Sequence, residues 1–155
     1  MSNLITTSKV HIQKQHGSIR RARIEGVAEP IVFGSHGALK THYKVAAEEP
    51  DHPTVLDYLI AAVGGCLNGT LTGALEVRQI PAPPEKLETL VEGDIEVVDN
   101  VLRVTKIRVH HKIRIPAGKR EPAERAVSSH PKKCPVAVSI QGAIALEVTA
   151  EITEE

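Results

Sequence analysis

The chain has no tryptophan and only three other aromatic residues, Phe33, Tyr43 and Tyr58, in 155 positions. Single-stranded nucleic acid is held by stacking its bases on several aromatic rings, so that mode of recognition is excluded. An excess of charge is missing too: nineteen Lys and Arg balance nineteen Asp and Glu. Nothing in that balance draws the chain to nucleic acid or to an anionic membrane surface. No basic-then-apolar signal segment opens the sequence, and no apolar run reads as long enough to span a bilayer. The expectation is a cytoplasmic protein with neither nucleic-acid nor membrane partners. Glycine-rich phosphate loops, nucleophile elbows and dinucleotide fingerprints are absent, so no cofactor is expected. There are eight histidines, but no His/Cys spacing has the form of a zinc site. His110 and His111 are neighbours on a strand and point to opposite faces, so they cannot share one ion. No metal is expected.

What remains is a core of Val, Ile, Leu and Ala in one domain, residues 1–155. Residues 8–45 read as a set of short strands punctuated by Gly17, Gly26, Gly34 and Gly37, and 46–53 as a loop. Thr54-Val-Leu-Asp57 has the form of a capping box. The helix it opens runs to about Arg78, ahead of Pro81, and is apolar on most of its circumference. Its four glycines, Gly64, Gly65, Gly69 and Gly73, each cost about 1 kcal/mol relative to Ala, which close approach of another backbone would explain. A strand lies within Glu85–Val98 and ends at a turn, Asp99-Asn100. The strand Leu102–Ile115 changes phase between Val104 and Ile107, which predicts a bulge near Thr105. Its basic stripe, Lys106 to Arg114, is most simply a solvated sheet face. Short helices over 121–129 and 134–142 and a closing strand through Ile144–Ile152 complete an α+β order.

Cysteine is scarce, and both copies are informative. Cys66 lies in the middle of the long helix, in Leu59-Ile-Ala-Ala-Val-Gly-Gly-Cys66. Cys134, 68 positions later, is followed by Pro135, so it reads as the cap of another helix, near His130, Lys132 and Lys133. A thiol at a helix N-terminus among cations is expected to be acidic. In a reducing compartment a bond between two such sulfurs is transient, as in catalysis or sensing.

Both settings resemble the two cysteine motifs of the OsmC/Ohr family: Leu59–Cys66 the first, and His130, Cys134-Pro135 and Gly142 the second. The resemblance extends over roughly 8–152 and implies antiparallel sheets around a long central helix in an intertwined homodimer. It also implies a thiol peroxidase for organic hydroperoxides. Cys66 would become a sulfenic acid, Cys134 would resolve it as an intrachain disulfide, and a dithiol such as a lipoylated protein would reduce that bond.

The attacking form is a thiolate, and a thiol of pKa near 8.5 is only about 3% ionised at pH 7. Burial works against ionisation, so a cation has to reach Cys66. The family uses an arginine from the N-terminal strands and a carboxylate ahead of the helix. The arginine candidates are Arg20, Arg21 and Arg23, of which Arg20 or Arg21 is preferred; Arg21 and Arg23 lie on one strand face and Arg20 on the other. Asp57 is the candidate carboxylate, although nine residues along a helix put it half a revolution from Cys66, and a capping role is the simpler reading. Glu48, Glu49 and Asp51 are further donors. The alternative function is a redox sensor or small-ligand binding protein of the same fold, without turnover.

Overall fold

Tight turns build the first third of the chain. A computed structural model describes residues 2–155. In it β1 (Val10–Lys14), β2 (Arg20–Ile24) and β3 (Ile31–Phe33) form an antiparallel sheet in that order. Gly17 and Gly26, at φ 51° and 85°, sit in the two connections, where a Cβ would be strained. The strands expected over 8–45 stop at Phe33. A short helix, α1 (Gly37–His42), follows, six residues being too few to show a helical period.

The long helix α2 spans Val55–Glu76. Its entrance is the expected capping box: Asp57 N–H donates to Thr54 Oγ1 at 3.1 Å, and Thr54 N–H donates to the Asp57 carboxylate at 2.6 Å. Its exit is a Schellman motif. Gln79 takes φ 59°, Ile80 N–H donates to Leu75 O at 3.1 Å, and Gln79 N–H to Glu76 O at 2.9 Å. The helix therefore stops two residues before the expected Arg78.

The described chain divides into two compact units; the first ends at Tyr58 and the second is Leu59–Glu155. The second unit holds a sheet in the order β4 (Leu87–Val98), β5 (Val101–Ile115), β6 (Ala145–Glu154). β4 and β5 form an antiparallel hairpin closed by Asp99 and Asn100, both at positive φ. Asp94 pairs with Lys106 and Ile95 with Val104, so Thr105 is the extra residue of the expected bulge. The bulge returns Val104 and Ile107 to the same buried face in spite of their odd spacing.

One pairing departs from the antiparallel expectation: β6 runs parallel to β5. The intervening segment, α3 (Arg120–Ser129), a 3-10 turn (His130–Lys133) and α4 (Pro135–Ser139), carries the chain back to the end where β5 begins. A parallel neighbour needs such a crossover, and 29 residues with three helical pieces supply one. The resulting fold is α+β, two small sheets with a long helix.

Leu71 and Leu75 of α2 pack with Ile80, Leu87, Ile113, Ile115 and Ala123 in the main core cluster. Gly64 is needed for this packing, because a Cβ there would overlap the Val91 side chain of β4. Gly65, Gly69 and Gly73 are different: an added Cβ would meet nothing within 4 Å among the described residues. The helix is therefore buried on one stripe only, Val63, Gly64, Leu67, Leu71 and Leu75, and open on its Ala62, Gly65, Gly69 and Gly73 side. By length and composition alone α2 could also cross a membrane, which corrects the expectation that no run is long enough. The reason is its lack of any charge between Asp57 and Glu76.

The outer face of the second sheet carries the basic stripe. Arg108 donates to both Asp94 oxygens at 2.7 and 2.6 Å, and Lys106 pairs with Glu147 at 2.9 Å. Asp94 is held below the usual carboxylate range by the Arg108 hydrogen bonds. The acids of both neighbouring strands thus answer the stripe.

Candidate active site

Cys66 and Cys134 lie together in the second unit, with Sγ 2.9 Å from Sγ, against about 2.05 Å for a disulfide bond. Both thiols are free. α2 supplies Cys66, which is half-buried, and the loop before α4 supplies Cys134, which has no exposed surface. Cys134 is the N-cap of α4 with Pro135 at the first helical position, as its sequence predicts, and its sulfur accepts from Ala137 N–H at 3.5 Å. Thr70, one turn beyond Cys66, donates its hydroxyl to Cys66 O at 2.7 Å.

The acidity expected of Cys134 is not found. Burial pushes its pKa up, and the hydrogen bond to Cys66 pushes it further in that direction, while Ala137 N–H and the Thr70 hydroxyl act in the opposite sense. Lys132 and Lys133 are exposed, so water screens their charge from a sulfur facing the interior. α4 is only five residues long, which leaves little dipole behind its cap.

The other candidates belong to the first unit. Arg20 directs Nη1 to the carbonyls of Gly17 and Ile19 at 3.3 and 3.2 Å. Arg21 is exposed on β2, and neither arginine forms a salt bridge among the described residues. Asp57 completes the capping box and accepts a 2.9 Å contact from His36 Nε2. Partial burial acts to raise its pKa, but the Thr54 hydroxyl and amide and the His36 ring outweigh it and hold the carboxyl below its usual range. Of the other acids, Glu49 is bound to the Ser18 hydroxyl and amide, and Asp51 to Lys40 at 3.0 Å. Arg20, Ser18, Ser35, Phe33 and Leu39 help to line an open cleft of about 640 Å³ in this unit.

Two histidines that the sequence reading named without expecting them to meet in the core stand in the second unit. His111 and His130 are fully buried, their rings 5.3 Å apart between centroids in an edge-to-face arrangement. His111 could have been found from its phase, since it alternates with Ile107, Val109, Ile113 and Ile115 on the core face of β5. No group of three or more His, Cys, Asp or Glu suited to a metal occurs among the described residues.

The family model for OsmC-like protein matches residues 47–149, two thirds of the sequence and both cysteines. The chain belongs to the OsmC-like protein family. Solved structures share its fold. An OsmC-like protein from Mycoplasma pneumoniae superposes with a TM-score of 0.72 at 15% identity, covering 97% of this chain and 99% of that one. An organic hydroperoxide resistance protein from Elizabethkingia anophelis gives 0.71 at 14% identity, over 100% of both chains. The organic hydroperoxide resistance protein OhrB of Bacillus subtilis gives 0.59 at 16%, over 96% and 100%. No curated protein is matched by this sequence.

Proposed function

We propose that this OsmC-like protein is a thiol peroxidase that reduces organic hydroperoxides through Cys66 and Cys134. The observation that carries the reading is the 2.9 Å separation of the two sulfurs, one reachable from solvent and one not. The Cys66 thiolate attacks the terminal peroxide oxygen, the O–O bond breaks, and the alcohol leaves with a proton. Cys66 is then a sulfenic acid. Cys134 attacks its sulfur, the S–O bond breaks, and water leaves as the disulfide forms. An external dithiol returns two electrons by exchange and is itself oxidised. The relatives that are organic hydroperoxide resistance proteins support the same substrate class.

The working form is a homodimer in a reducing compartment. Support comes from the open Gly65, Gly69 and Gly73 face, which a second copy of α2 would cover, and from the 28% burial of the most apolar stretch of that helix. The cation at Cys66 is assigned to Arg20 or Arg21. Asp57 is the weaker assignment, because its oxygens already serve Thr54 and His36.

The test is consumption of cumene hydroperoxide by reduced protein in the presence of a dithiol. Steady turnover supports the proposal; unchanged peroxide, despite thiols that react with an alkylating agent, ends it. A specific observation favours a second reading in that event. The 640 Å³ cleft of the first unit suits a small ligand, with Arg20 at its wall.

A further inference from the structure

The buried histidines present a matched pair of unused atoms. Among the described residues His111 Nε2 and His130 Nε2 have no hydrogen-bond partner, and both lie out of reach of solvent. A buried polar atom left alone costs about 1–3 kcal/mol, so two on facing rings require an account.

The other ring nitrogens tell which of the two carries a proton. His130 Nδ1 lies 2.8 Å from Val127 O and 3.3 Å from Ala126 O. Carbonyls only accept, so Nδ1 is the protonated nitrogen of a neutral ring, and His130 Nε2 is a bare acceptor. His111 Nδ1 lies 2.8 Å from Thr89 Oγ1, its cross-strand partner. That hydroxyl already accepts from Asn68 Nδ2 at 2.8 Å. Its own proton has no other acceptor among the described residues and so points to His111 Nδ1, which leaves the His111 proton on Nε2. One orphan is a donor and the other an acceptor. Burial lowers the pKa of both rings, that of His111 to about 4, which keeps them neutral near pH 7.

We propose that His111 and His130 are positioning residues that join through Nε2–H···Nε2 and so hold the Cys134 turn against the helix that carries Cys66. Centroids 5.3 Å apart allow an N···N separation of about 3 Å once the rings turn toward each other. The chain of donors then runs in one direction, from Asn68 to Thr89, to His111, to His130, to Val127 O. It starts on α2 two residues past Cys66, passes through His130 on the turn four residues before Cys134, and ends on α3. Bonds oriented head to tail reinforce one another in a dry interior. A protonated His130 would set a donor against the His111 donor and break the chain at its centre. This inference rests on the reading of Cys66 and Cys134 as a working pair, but not on any peroxide chemistry.

The full-length reduced protein is equilibrated with a glutathione redox buffer, and the Cys66–Cys134 disulfide is measured by mass spectrometry after alkylation. In that exchange two protein thiols give two electrons and two protons to glutathione disulfide, which leaves as two glutathione molecules. Each variant is compared with wild type. His130→Asn retains an amide for the Val127 carbonyl but lacks Nε2, and His111→Phe removes the donor. Each is expected to lower the disulfide equilibrium constant about tenfold, the effect of one buried hydrogen bond. His111→Gln, which keeps a donor in place of Nε2–H, retains more of it, and His110→Gln on the outer face leaves it unchanged. A long-range 1H–15N spectrum of the wild type at pH 7 is expected to show His111 protonated at Nε2 and His130 at Nδ1. An unaltered equilibrium in folded His130→Asn overturns the proposal, as does an Nδ1-protonated His111. Where His130→Asn does not fold, the tautomer spectrum decides alone. A protein inert to hydroperoxide that still shows the tenfold loss keeps the histidine link and loses only the peroxidase assignment.

Discussion

Cys66 and Cys134 end up almost in contact, yet they are supported in opposite ways. Cys66 sits mid-helix, half open to solvent, on a backbone already rigid with α2 hydrogen bonds; its position follows from the Leu67, Leu71 and Leu75 stripe behind it. Cys134 has no exposed surface and sits at the junction of a 3-10 turn and a five-residue helix, neither of which is stable by itself. Its position follows from burial and from its contacts with Cys66 Sγ and Ala137 N–H. One thiol is held by secondary structure and offered to solvent, the other by tertiary packing and withheld from it. That asymmetry is what an attacking and a resolving sulfur require.

Removing each sulfur in turn breaks the comparison most completely. Cys66→Ser is expected to cut peroxide consumption by on the order of 10³-fold or more, to background. Cys134→Ser is expected to keep a single turnover and to leave a sulfenic acid on Cys66, read as a dimedone adduct by mass spectrometry. Equal loss in both variants would erase the difference in roles. Unloading the Cys66 side comes next. Leu71→Ala leaves a cavity beneath α2 and should cost about 2–5 kcal/mol in urea unfolding.

Acid unloads the Cys134 side. The His111 pKa lies near 4 in the folded chain against 6.5 in the open one, so between these values the unfolded state binds the extra proton. Stability is complete above about pH 6.5, falls by roughly 3 kcal/mol on the way to pH 4, and levels off below it. His130 shifts in the same direction and adds to the slope. His111→Phe should flatten that part of the urea midpoint profile. The smallest effect belongs to the far end of α2. Thr54→Ala removes the cap and should cost about 1 kcal/mol without altering the reactivity of Cys66 toward an alkylating agent.

Features written in neighbouring residues were legible in the sequence. Thr54 and Asp57 declare the cap, the phase change between Val104 and Ile107 declares the bulge, and Cys134-Pro135 declares a helix entrance. Features that depend on distant partners were not. α1 is too short to carry a period. The parallel pairing of β6 is set by how the crossover returns, which no residue of β6 records. The acidity expected of Cys134 was inferred from Lys132 and Lys133, whose closeness in sequence does not bring their charges to a sulfur that points inward. The openness of α2 on its glycine side was equally hidden, since an apolar helix reads the same whether its second face is covered by its own chain or left for another.

The seclusion of Cys134 restricts the traffic between this protein and any other thiol. A foreign sulfur must approach along the axis of the bond it cleaves, and only one of the two atoms has a side turned outward. In the proposed cycle a mixed disulfide with a small thiol would therefore form at Cys66, and residue 134 would communicate with the outside by way of its neighbour.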